Sequence, residues 1–445
     1  MKKLTILVST VNAVGHVNAC SGALKGCLAR GHRVIFVIEK SFEGKLKKLG
    51  YEEHVYSRDR KQLENGVNGE SKPEEIKVEN PGERMAQFLL ESKILGPYTP
   101  LEKISNLLKF FEDPNQREEF FSLNKGVDEA IRQYNPDLVY VDASLVPAVY
   151  YSKIPWVKNI STTPLFFVND PELPPAASGL PTNDKTNWHL FEEYRNLFLY
   201  SKDFSDMVKK LGYEPYPDDK SFPETQLLTV YAYPNELDWD QIRKLGWFNL
   251  EVFNKECINE LDLKQFIPSL FVDDTFDNKW SGKWIYVSMG SMGSADLDLM
   301  KRLIAALRNT PHKYIVSKGP RHEEMELAPN MYGERYLPQT KIVPFVDLVI
   351  THGGNNTTTE TFAVGKPMIV FPLFGDQFDN AQRLEETGLG ARLEPYNFTE
   401  KQLMDKIDHL LNDQILLKKL QNASKRIMNS NKSEELALKL EQLLL

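Results

Sequence analysis

One stretch, a strand followed by a glycine turn and a helix, restricts the possible folds of this chain more than any other. The apolar run Leu348–Thr351 predicts a buried strand, and His352 stands at its end. Two glycines then form a turn before a helix that we expect to begin near Asn356 or Thr357. The start of such a helix carries free N–H groups and the positive end of its dipole, and glycines let a ligand approach the backbone closely. The stretch therefore predicts an α/β domain that binds a phosphate.

A second strand and its loop follow the same pattern. Residues Met368–Phe371 are apolar, and the loop after them carries Asp376 and Gln377. The carboxyl ends of parallel strands meet at the edge of the sheet where α/β proteins bind ligands. A diphosphate on the glycine turn, with a carboxylate and an amide nearby for hydroxyl groups, is the chemistry of a nucleotide sugar.

The order and spacing of these residues resemble the donor-binding signature of the UDP-glycosyltransferases that act on small acceptors. That family has the GT-B fold, so the resemblance implies an α/β protein with two Rossmann-like, doubly wound domains that face each other across a cleft. Two positions depart from the family pattern: Tyr336 replaces the usual stacking tryptophan, and Asn355 stands where plant members often have tryptophan. The matching residues are Tyr336, Pro338 and Gln339, then His352, Gly354, Asn356, Thr357 and Glu360, and finally Asp376 and Gln377.

The resemblance implies a set of donor-binding residues in the second half of the chain. In this scheme His352 and Thr357 hold the diphosphate, Glu360 accepts hydrogen bonds from the ribose, and Tyr336 stacks on the uracil. Taken alone, Tyr336 fits a core residue, Glu360 fits an acid in a first helical turn, and residues 288–293 fit a plain turn, so these alternatives stay open. The predicted donor-binding residues are Ser291, Tyr336, Leu337, Gln339, His352, Gly354, Asn356, Thr357, Glu360, Asp376 and Gln377.

His16 and Asp142 are the candidate catalytic pair. His16 follows the first predicted strand, and Asp142 ends the predicted strand 137–141. Taken alone, the histidine fits a helix cap or a loop residue, and the aspartate fits a cap of the next helix. The resemblance implies that His16 is the catalytic base and that Asp142 orients it. We expect the dipole of the helix that starts near His16 to lower the pKa of the imidazole and to favour its neutral form.

The aromatic stretch 166–200 is the candidate acceptor pocket. We predict a helix that carries the aromatic residues of the range 188–200, and helical aromatic spacing is more often found in a core than in a pocket. The predicted acceptor contacts within and before this helix are Phe166, Phe167 and Phe191.

Four segments divide the chain. Residues 1–249 open with a strand, a helix and a second strand, which predicts an acceptor-binding Rossmann-like domain. Residues 250–283 are charged and irregular, and we interpret them as a linker. Residues 284–425 form the predicted UDP-sugar-binding domain, and residues 426–445 a helix that packs back on the first domain, as the family resemblance implies.

Bulk composition excludes several classes of partner. The chain has 445 residues, of which 41% are hydrophobic and 26% are charged, as is typical of globular proteins. Its net charge of −8 argues against nucleic acid as a partner.

Three cysteines without a CxxC pair, and an apolar run after Met1 too short for a signal sequence, favour the cytosol. No stretch predicts a membrane anchor, and we expect a monomer.

The predicted function is that of an inverting, metal-independent UDP-glycosyltransferase with no cofactor beyond its UDP-sugar co-substrate. UDP-glucose is the expected donor, and the expected acceptor is a small lipophilic hydroxyl compound such as a phenol, flavonoid or xenobiotic. No metal site is expected, because neither Asp238-x-Asp240 nor Asp296-x-Asp298 follows a buried strand.

Two other functions stay open at this point. One is a GT-B protein that binds hydrophobic small molecules without turnover. The other is a nicotinamide-dependent enzyme, for which the first strand–helix turn shows no GxGxxG fingerprint.

Overall fold

Two parallel β-sheets organise the chain. The computed structural model describes residues 3–58, 81–112, 114–225, 227–255, 267–268 and 279–444. The strands of the first sheet, in chain order, are β1 (Thr5–Ser9), β2 (Arg33–Glu39), β3 (Glu52–Tyr56), β4 (Leu138–Asp142), β5 (Trp156–Ile160), β6 (Thr229–Tyr231) and β7 (Phe248–Asn249). Those of the second sheet are β8 (Trp284–Ser288), β9 (Lys313–Ser317), β10 (Met331–Glu334), β11 (Leu348–Thr351), β12 (Met368–Val370) and β13 (Ala391–Arg392).

Helices connect the strands in both halves. The helices of the first half are α1 (Val14–Ala23), α2 (Lys25–Ala29), α3 (Pro81–Glu91), α4 (Pro100–Glu112), α5 (Pro114–Tyr134), α6 (Pro147–Tyr150), α7 (Lys202–Lys210) and α8 (Asp240–Arg243). Those of the second half are α9 (Gly290–Gly293), α10 (Leu297–Leu307), α11 (Gln339–Ile342), α12 (Asn355–Ala363), α13 (Asp376–Glu386), α14 (Glu400–Asn412), α15 (Gln414–Asn429) and α16 (Lys432–Leu444).

The strand order reverses once in each sheet. The first sheet runs β3-β2-β1-β4-β5-β6-β7 and the second runs β10-β9-β8-β11-β12-β13, with every pair parallel. The reversals lie between β1 and β4 and between β8 and β11. In sheets of this kind the crevice beyond the strand ends at the reversal is where ligands bind. The topology therefore marks one crevice in each domain.

Apolar strands explain why both sheets are buried. All five residues of β4 and all four of β11 are inaccessible, as expected for parallel strands covered on both faces. The second-domain core extends into the first domain through Leu89, Ile104 and Phe166, which belong to the same apolar cluster as β11. The two domains therefore share packed apolar surface.

Several predicted elements have the predicted bounds, and others differ. The bounds of β11 agree with prediction, whereas the predicted aromatic helix is a 3₁₀ helix over Trp188–Tyr194 followed by turns. Strands β3 and β10 were not predicted, and β7 rather than β6 ends the first sheet. Most of the predicted 250–283 linker, and most of a polar loop predicted over 57–82, lie outside the described residues.

The last helix, α16, packs on the first domain. Leu436, Ala437 and Leu440 join the apolar cluster beneath β1, whereas Leu438 and Leu443 are partly exposed. Glu441 accepts hydrogen bonds from Arg30 and lies 2.7 Å from the Nε2 atom of His32. Among the described residues, no helix has the length and apolar character to cross a membrane.

Candidate active site

The predicted pair His16 and Asp142 meets at the reversal of the first sheet. His16 lies in the first turn of α1, directly after β1, and Asp142 ends the neighbouring strand β4. The Nδ1 atom of the imidazole is 2.8 Å from Oδ2 of the carboxylate. The carboxylate is buried, and the imidazole is 25% exposed. Because Nδ1 is engaged by Asp142, Nε2 is the nitrogen left to face an incoming ligand.

Three further polar residues, none of them predicted, complete the surroundings of Asp142. Oδ2 also accepts hydrogen bonds from Ser161 Oγ at 2.9 Å and Thr10 Oγ1 at 3.3 Å. Oδ1 accepts from Asn159 Nδ2 at 2.9 Å and from the Ser161 amide at 3.2 Å. Their place in the sequence carried a signal, because Thr10 follows β1, Asn159 lies in β5 and Ser161 follows β5. Polar residues at the ends of neighbouring strands meet at one sheet edge.

The expected direction of the His16 pKa shift was wrong. Burial lowers the pKa of His16, but the charge of Asp142, the hydrogen bond to it and the charge of Asp376 outweigh burial and raise the pKa above its usual 6.5. The helix dipole therefore does not decide the charge state of this imidazole. A carboxylate in contact favours the protonated ring more than one helix end disfavours it.

The glycine turn of the second domain holds His352 between two backbone segments. A Cβ atom added to Gly290, after β8, or to Gly354, after β11, would lie 2.7 Å from atoms of the His352 ring. Burial lowers the pKa of His352 to about 4, so the ring is neutral at pH 7. A neutral imidazole can donate or accept a hydrogen bond at this turn.

The residues predicted to hold a nucleoside cluster beside this turn. Gln339 Nε2 donates to Thr357 Oγ1 at 3.2 Å and to Glu360 Oε2 at 2.9 Å. Tyr336 is 47% exposed, which excludes the core role that its aromatic ring alone suggested. Leu337 beside it is half-buried. An exposed ring next to a carboxylate and an amide suits a planar base attached to a hydroxylated sugar.

Two asparagines at the start of α12 connect the domains. Asn355 Nδ2 donates to the carbonyl oxygens of Ser161 and Ala232, both at 3.2 Å. Asn356 Nδ2 donates to the carbonyl oxygen of Gly15 at 2.8 Å. Because Gly15 immediately precedes His16, the start of α12 lies against the loop that carries the imidazole. The helix begins at Asn355, one residue earlier than predicted.

Asp376 and Gln377 lie in the first turn of α13 and not in a loop as predicted. Burial raises the pKa of Asp376 to about 6, opposed by the amides of Asn355 and Thr163 and by the charge of His16. Asp376 therefore stands between the domains, close enough to His16 for their charges to interact. Gln377 is only 3% exposed, and its Oε1 accepts from the amides of Leu373 and Phe374. Its carbonyl oxygen is thus engaged within its own chain segment.

The rest of α13 is hydrogen-bonded to the first domain. Asp379 accepts hydrogen bonds from the amides of Ala177 at 2.7 Å and Gly179 at 3.0 Å. Glu386, two turns further, accepts from the amide and the hydroxyl group of Thr182. Burial is the main cause that raises the pKa of Asp379 to about 7. The helix whose first turn carries Asp376 is therefore anchored by buried carboxylates.

The raised pKa of Asp379 predicts a pH dependence of stability. In the unfolded chain an aspartate titrates near pH 4, so the folded state binds the extra proton between about pH 4 and pH 7. This contribution is complete below the unfolded pKa and is lost as the pH rises through 7. We expect Asp379→Asn to flatten the fall of the unfolding temperature between pH 5 and pH 8, measured by calorimetry. The pKa of Asp376 is also raised by burial, so this residue lowers the stability over the same pH range and part of the fall should remain.

A matched control is Asp405→Asn, on the exposed face of α14, where the carboxylate pairs with Lys401. That variant should retain the wild-type slope. Equal slopes in the wild type and in Asp379→Asn would contradict the assignment.

The predicted acceptor aromatics divide into two groups. Phe166 is buried and stacks on Phe198 with ring centroids 4.0 Å apart, and a Cβ on Gly375 would approach it to 4.0 Å. It therefore lies beside the segment that leads into Asp376. Phe167 instead contacts Phe222 edge-on, and Phe191 is buried in the shared core.

The two DxD sequences have structural roles in the described part of the chain. Asp238 accepts from the Tyr231 hydroxyl at 2.6 Å, and Asp296 caps α10 and accepts from Tyr396. Within the described ranges, no group of three or more histidine, cysteine, aspartate or glutamate residues could hold a metal ion.

Comparison with known proteins relates the chain to glycosyltransferases. Residues 279–427 match the family described as UDP-glucoronosyl and UDP-glucosyl transferase. Over 453 residues, 24% are identical to NDP-glycosyltransferase YjiC of Bacillus subtilis, an alignment that covers 99% of this chain and 97% of that protein. Residues 279–427 therefore carry a segment of the UDP-glycosyltransferase family. This segment contains every predicted donor-binding residue.

Two further comparisons extend this result. A sterol 3-beta-glucosyltransferase of Candida albicans is 27% identical over 298 residues, which are 62% of this chain but only 18% of that relative's length. The crystal structure of the Streptomyces sp. SF2575 glycosyltransferase SsfS6, complexed with thymidine diphosphate, has a TM-score of 0.60, with 13% identity and 99% of each chain covered. At that identity the similarity establishes the fold, and the predicted GT-B architecture is confirmed.

Proposed function

We propose that this protein transfers glucose from UDP-glucose to a hydroxyl group of a small lipophilic acceptor, with inversion at the anomeric carbon. The observation that carries the proposal is the His16–Asp142 pair at the reversal of the first sheet, next to Gly15, which contacts the start of α12. A base on one domain then faces a diphosphate-binding turn on the other.

The chemistry follows from this arrangement. Nε2 of His16 accepts the proton of the acceptor hydroxyl, and Asp142 stabilises the imidazolium that results. The acceptor oxygen forms a bond to the anomeric carbon while the bond between that carbon and the diphosphate oxygen breaks. UDP leaves with the bonding electrons, and an α-linked donor gives a β-glycoside. Holding both reactants in line across the cleft supplies much of the rate.

The donor assignment rests on the second domain. The start of α12 and the neutral ring of His352 offer hydrogen-bond donors to the diphosphate. Glu360 offers a carboxylate to the ribose, and Asp376 offers one to the sugar. Asp376 and His16 are close enough for their charges to interact, so a sugar held by this carboxylate would lie on the side of the cleft that carries the base. Glucose is proposed over other hexoses because of the Asp376–Gln377 pair.

The proposed acceptor is an apolar compound with one reactive hydroxyl, because the aromatic surface beside Gly375 provides apolar contacts. The Candida relative is named for a sterol acceptor, and a sterol has this same combination of properties. A phenol panel with one sterol therefore samples the proposed class. We place no nucleic acid, metal or organic cofactor among the requirements of the reaction.

The test combines donor binding with product formation. Thermal shifts are measured with UDP-glucose, UDP-galactose, UDP-glucuronate, UDP-N-acetylglucosamine and TDP-glucose. The protein is then incubated with the stabilising donor and a panel of phenols and cholesterol, and products are read by mass spectrometry. We expect UDP-glucose to give the largest shift and at least one phenol to gain a hexose. A protein that no nucleotide sugar stabilises and that forms no glycoside would refute the proposal.

A further inference from the structure

Ser161 makes contacts that the proposed His16–Asp142 mechanism does not explain. Its Oγ atom lies 2.7 Å from Nδ1 of His16 and donates to Oδ2 of Asp142 at 2.9 Å. Its amide donates to the other oxygen of the same carboxylate at 3.2 Å. Ser161 is therefore in hydrogen-bond contact with both members of the pair, through its side chain and through its backbone.

The hydroxyl group restricts the orientation of the imidazole. A ring held by one hydrogen bond can rotate about that bond, and Nε2 then moves away from the hydroxyl group of the acceptor substrate. Here Nδ1 has two oxygen neighbours, at 2.7 Å in Ser161 and 2.8 Å in Asp142, which are themselves hydrogen-bonded. The Ser161 hydroxyl donates to Oδ2, and the Nδ1–H group faces both Oδ2 and the Ser161 oxygen, so the ring plane is fixed more tightly than by the carboxylate alone.

The backbone of Ser161 reaches the other domain. Its carbonyl oxygen accepts from Nδ2 of Asn355, which also donates to the carbonyl of Ala232. Both acceptors are carbonyl oxygens, so the amide nitrogen, and not the oxygen, must face them. Asn355 is the first residue of α12, the helix that begins at the diphosphate-binding turn. A continuous chain of hydrogen bonds thus runs from α12 through Ser161 to His16.

We propose that Ser161 is a positioning residue that fixes the His16 imidazole and links its orientation to helix α12 of the second domain. This inference rests on the proposed function, because it concerns the seating of the proposed base. The variant Ser161→Ala isolates the hydroxyl group, since the amide and carbonyl contacts of residue 161 belong to the backbone and remain.

The first measurement needs no substrate. Protein labelled with [¹³Cε1]histidine is titrated by NMR, and His16 is assigned from the peak missing in His16→Asn. The charged groups that act on His16 are Asp142 and Asp376. In Ser161→Ala, Oδ2 of Asp142 no longer accepts a hydrogen bond from the serine hydroxyl. The carboxylate then stabilises the imidazolium of His16 more strongly, so we expect the pKa of His16 to rise. Ser161→Thr, which keeps the hydroxyl, should titrate like the wild type.

The matched control is Ser205→Ala. Ser205 is also buried, in α7, and its hydroxyl group has no hydrogen-bond partner among the described residues. We expect the His16 titration and the UDP thermal shift of this variant to equal those of the wild type. A change as large as that of Ser161→Ala would mean that any buried hydroxyl has this effect, and would overturn the proposal.

The second measurement is turnover of UDP-glucose with 4-methylumbelliferone. We expect Ser161→Ala to lower kcat about 10- to 100-fold, the scale of a misplaced catalytic group, while the UDP dissociation constant changes less than twofold. Asn355→Ala should lower kcat as well, and the double variant should lose less than the product of the two single losses. Multiplicative losses would remove the link to α12.

The inference and the proposed function fail in different ways. If the wild type binds UDP and transfers glucose but Ser161→Ala leaves both kcat and the His16 titration unchanged, the positioning role is wrong and the function stands. If the wild type neither binds UDP nor glycosylates any acceptor, the function is wrong. An unshifted His16 titration in Ser161→Ala then also removes the positioning role.

Discussion

His16→Ala should lower kcat/KM for the acceptor by about 10²- to 10⁴-fold, the usual contribution of a general base. The substitution leaves the second domain intact, so the UDP dissociation constant should change little. Asp142→Asn should also cause a large loss, because the amide removes the negative charge that stabilises the imidazolium. Steady-state kinetics with 4-methylumbelliferone, and calorimetric titration with UDP, measure the two quantities separately.

The pH profile supplies an independent check on His16. The base must be neutral to accept a proton, so kcat/KM should fall as the pH drops through the raised pKa of His16, above 6.5. His409→Ala, an exposed histidine on α14, serves as the control and should behave as the wild type. An active His16→Ala enzyme, or one that no longer binds UDP, would contradict the proposed division of roles.

Gly353→Ala should destabilise the protein by about 2–5 kcal/mol and weaken UDP binding at least about tenfold. Gly353 has a φ of +83°, and a Cβ there would lie 2.4 Å from Cγ1 of Val370 in β12. A side chain at this position is strained by the backbone and collides with a buried strand. Relief of the collision requires the turn beneath the proposed diphosphate to move.

A substitution at Gly388 distinguishes backbone strain from collision with a neighbouring side chain. Its φ is +67°, but a Cβ there meets nothing within 4 Å. Gly388→Ala should therefore lower the free energy of unfolding only through backbone strain, by about 1 kcal/mol, and leave UDP binding unchanged. Thermal unfolding and UDP titration of both variants provide the comparison. Equal losses of stability would show that packing against Val370 contributes nothing.

Local patterns were sufficient to predict the parts of the site that each strand carries. The strand bounds of β11 follow from the run Leu348–Thr351 before a glycine turn. The contact of His16 with Asp142 was expected from the family resemblance and not from a local pattern. The family resemblance was needed to assign a role to either residue. These predictions concern residues whose environment is set by the strand that precedes them.

The remaining errors come from contacts between distant parts of the chain. The Asn355–Ser161 hydrogen bond joins residues 194 apart, and no local pattern in either segment indicates it. The pKa of His16 depends on Asp376, which reaches it only when the two domains meet. Gln377 was assigned to the ligand by its neighbours in sequence, but its side chain bonds to amides three and four residues earlier.

The docking of α16 has a consequence for synthesis on the ribosome. Leu436, Ala437 and Leu440 complete the apolar layer under β1, and Gly26 of α2 lets the backbone of Ser433 approach to a distance that a side chain would forbid. The amino-terminal domain therefore cannot finish its core until the whole second domain has been translated. A nascent chain of this protein therefore exposes that apolar surface until α16 has been synthesised.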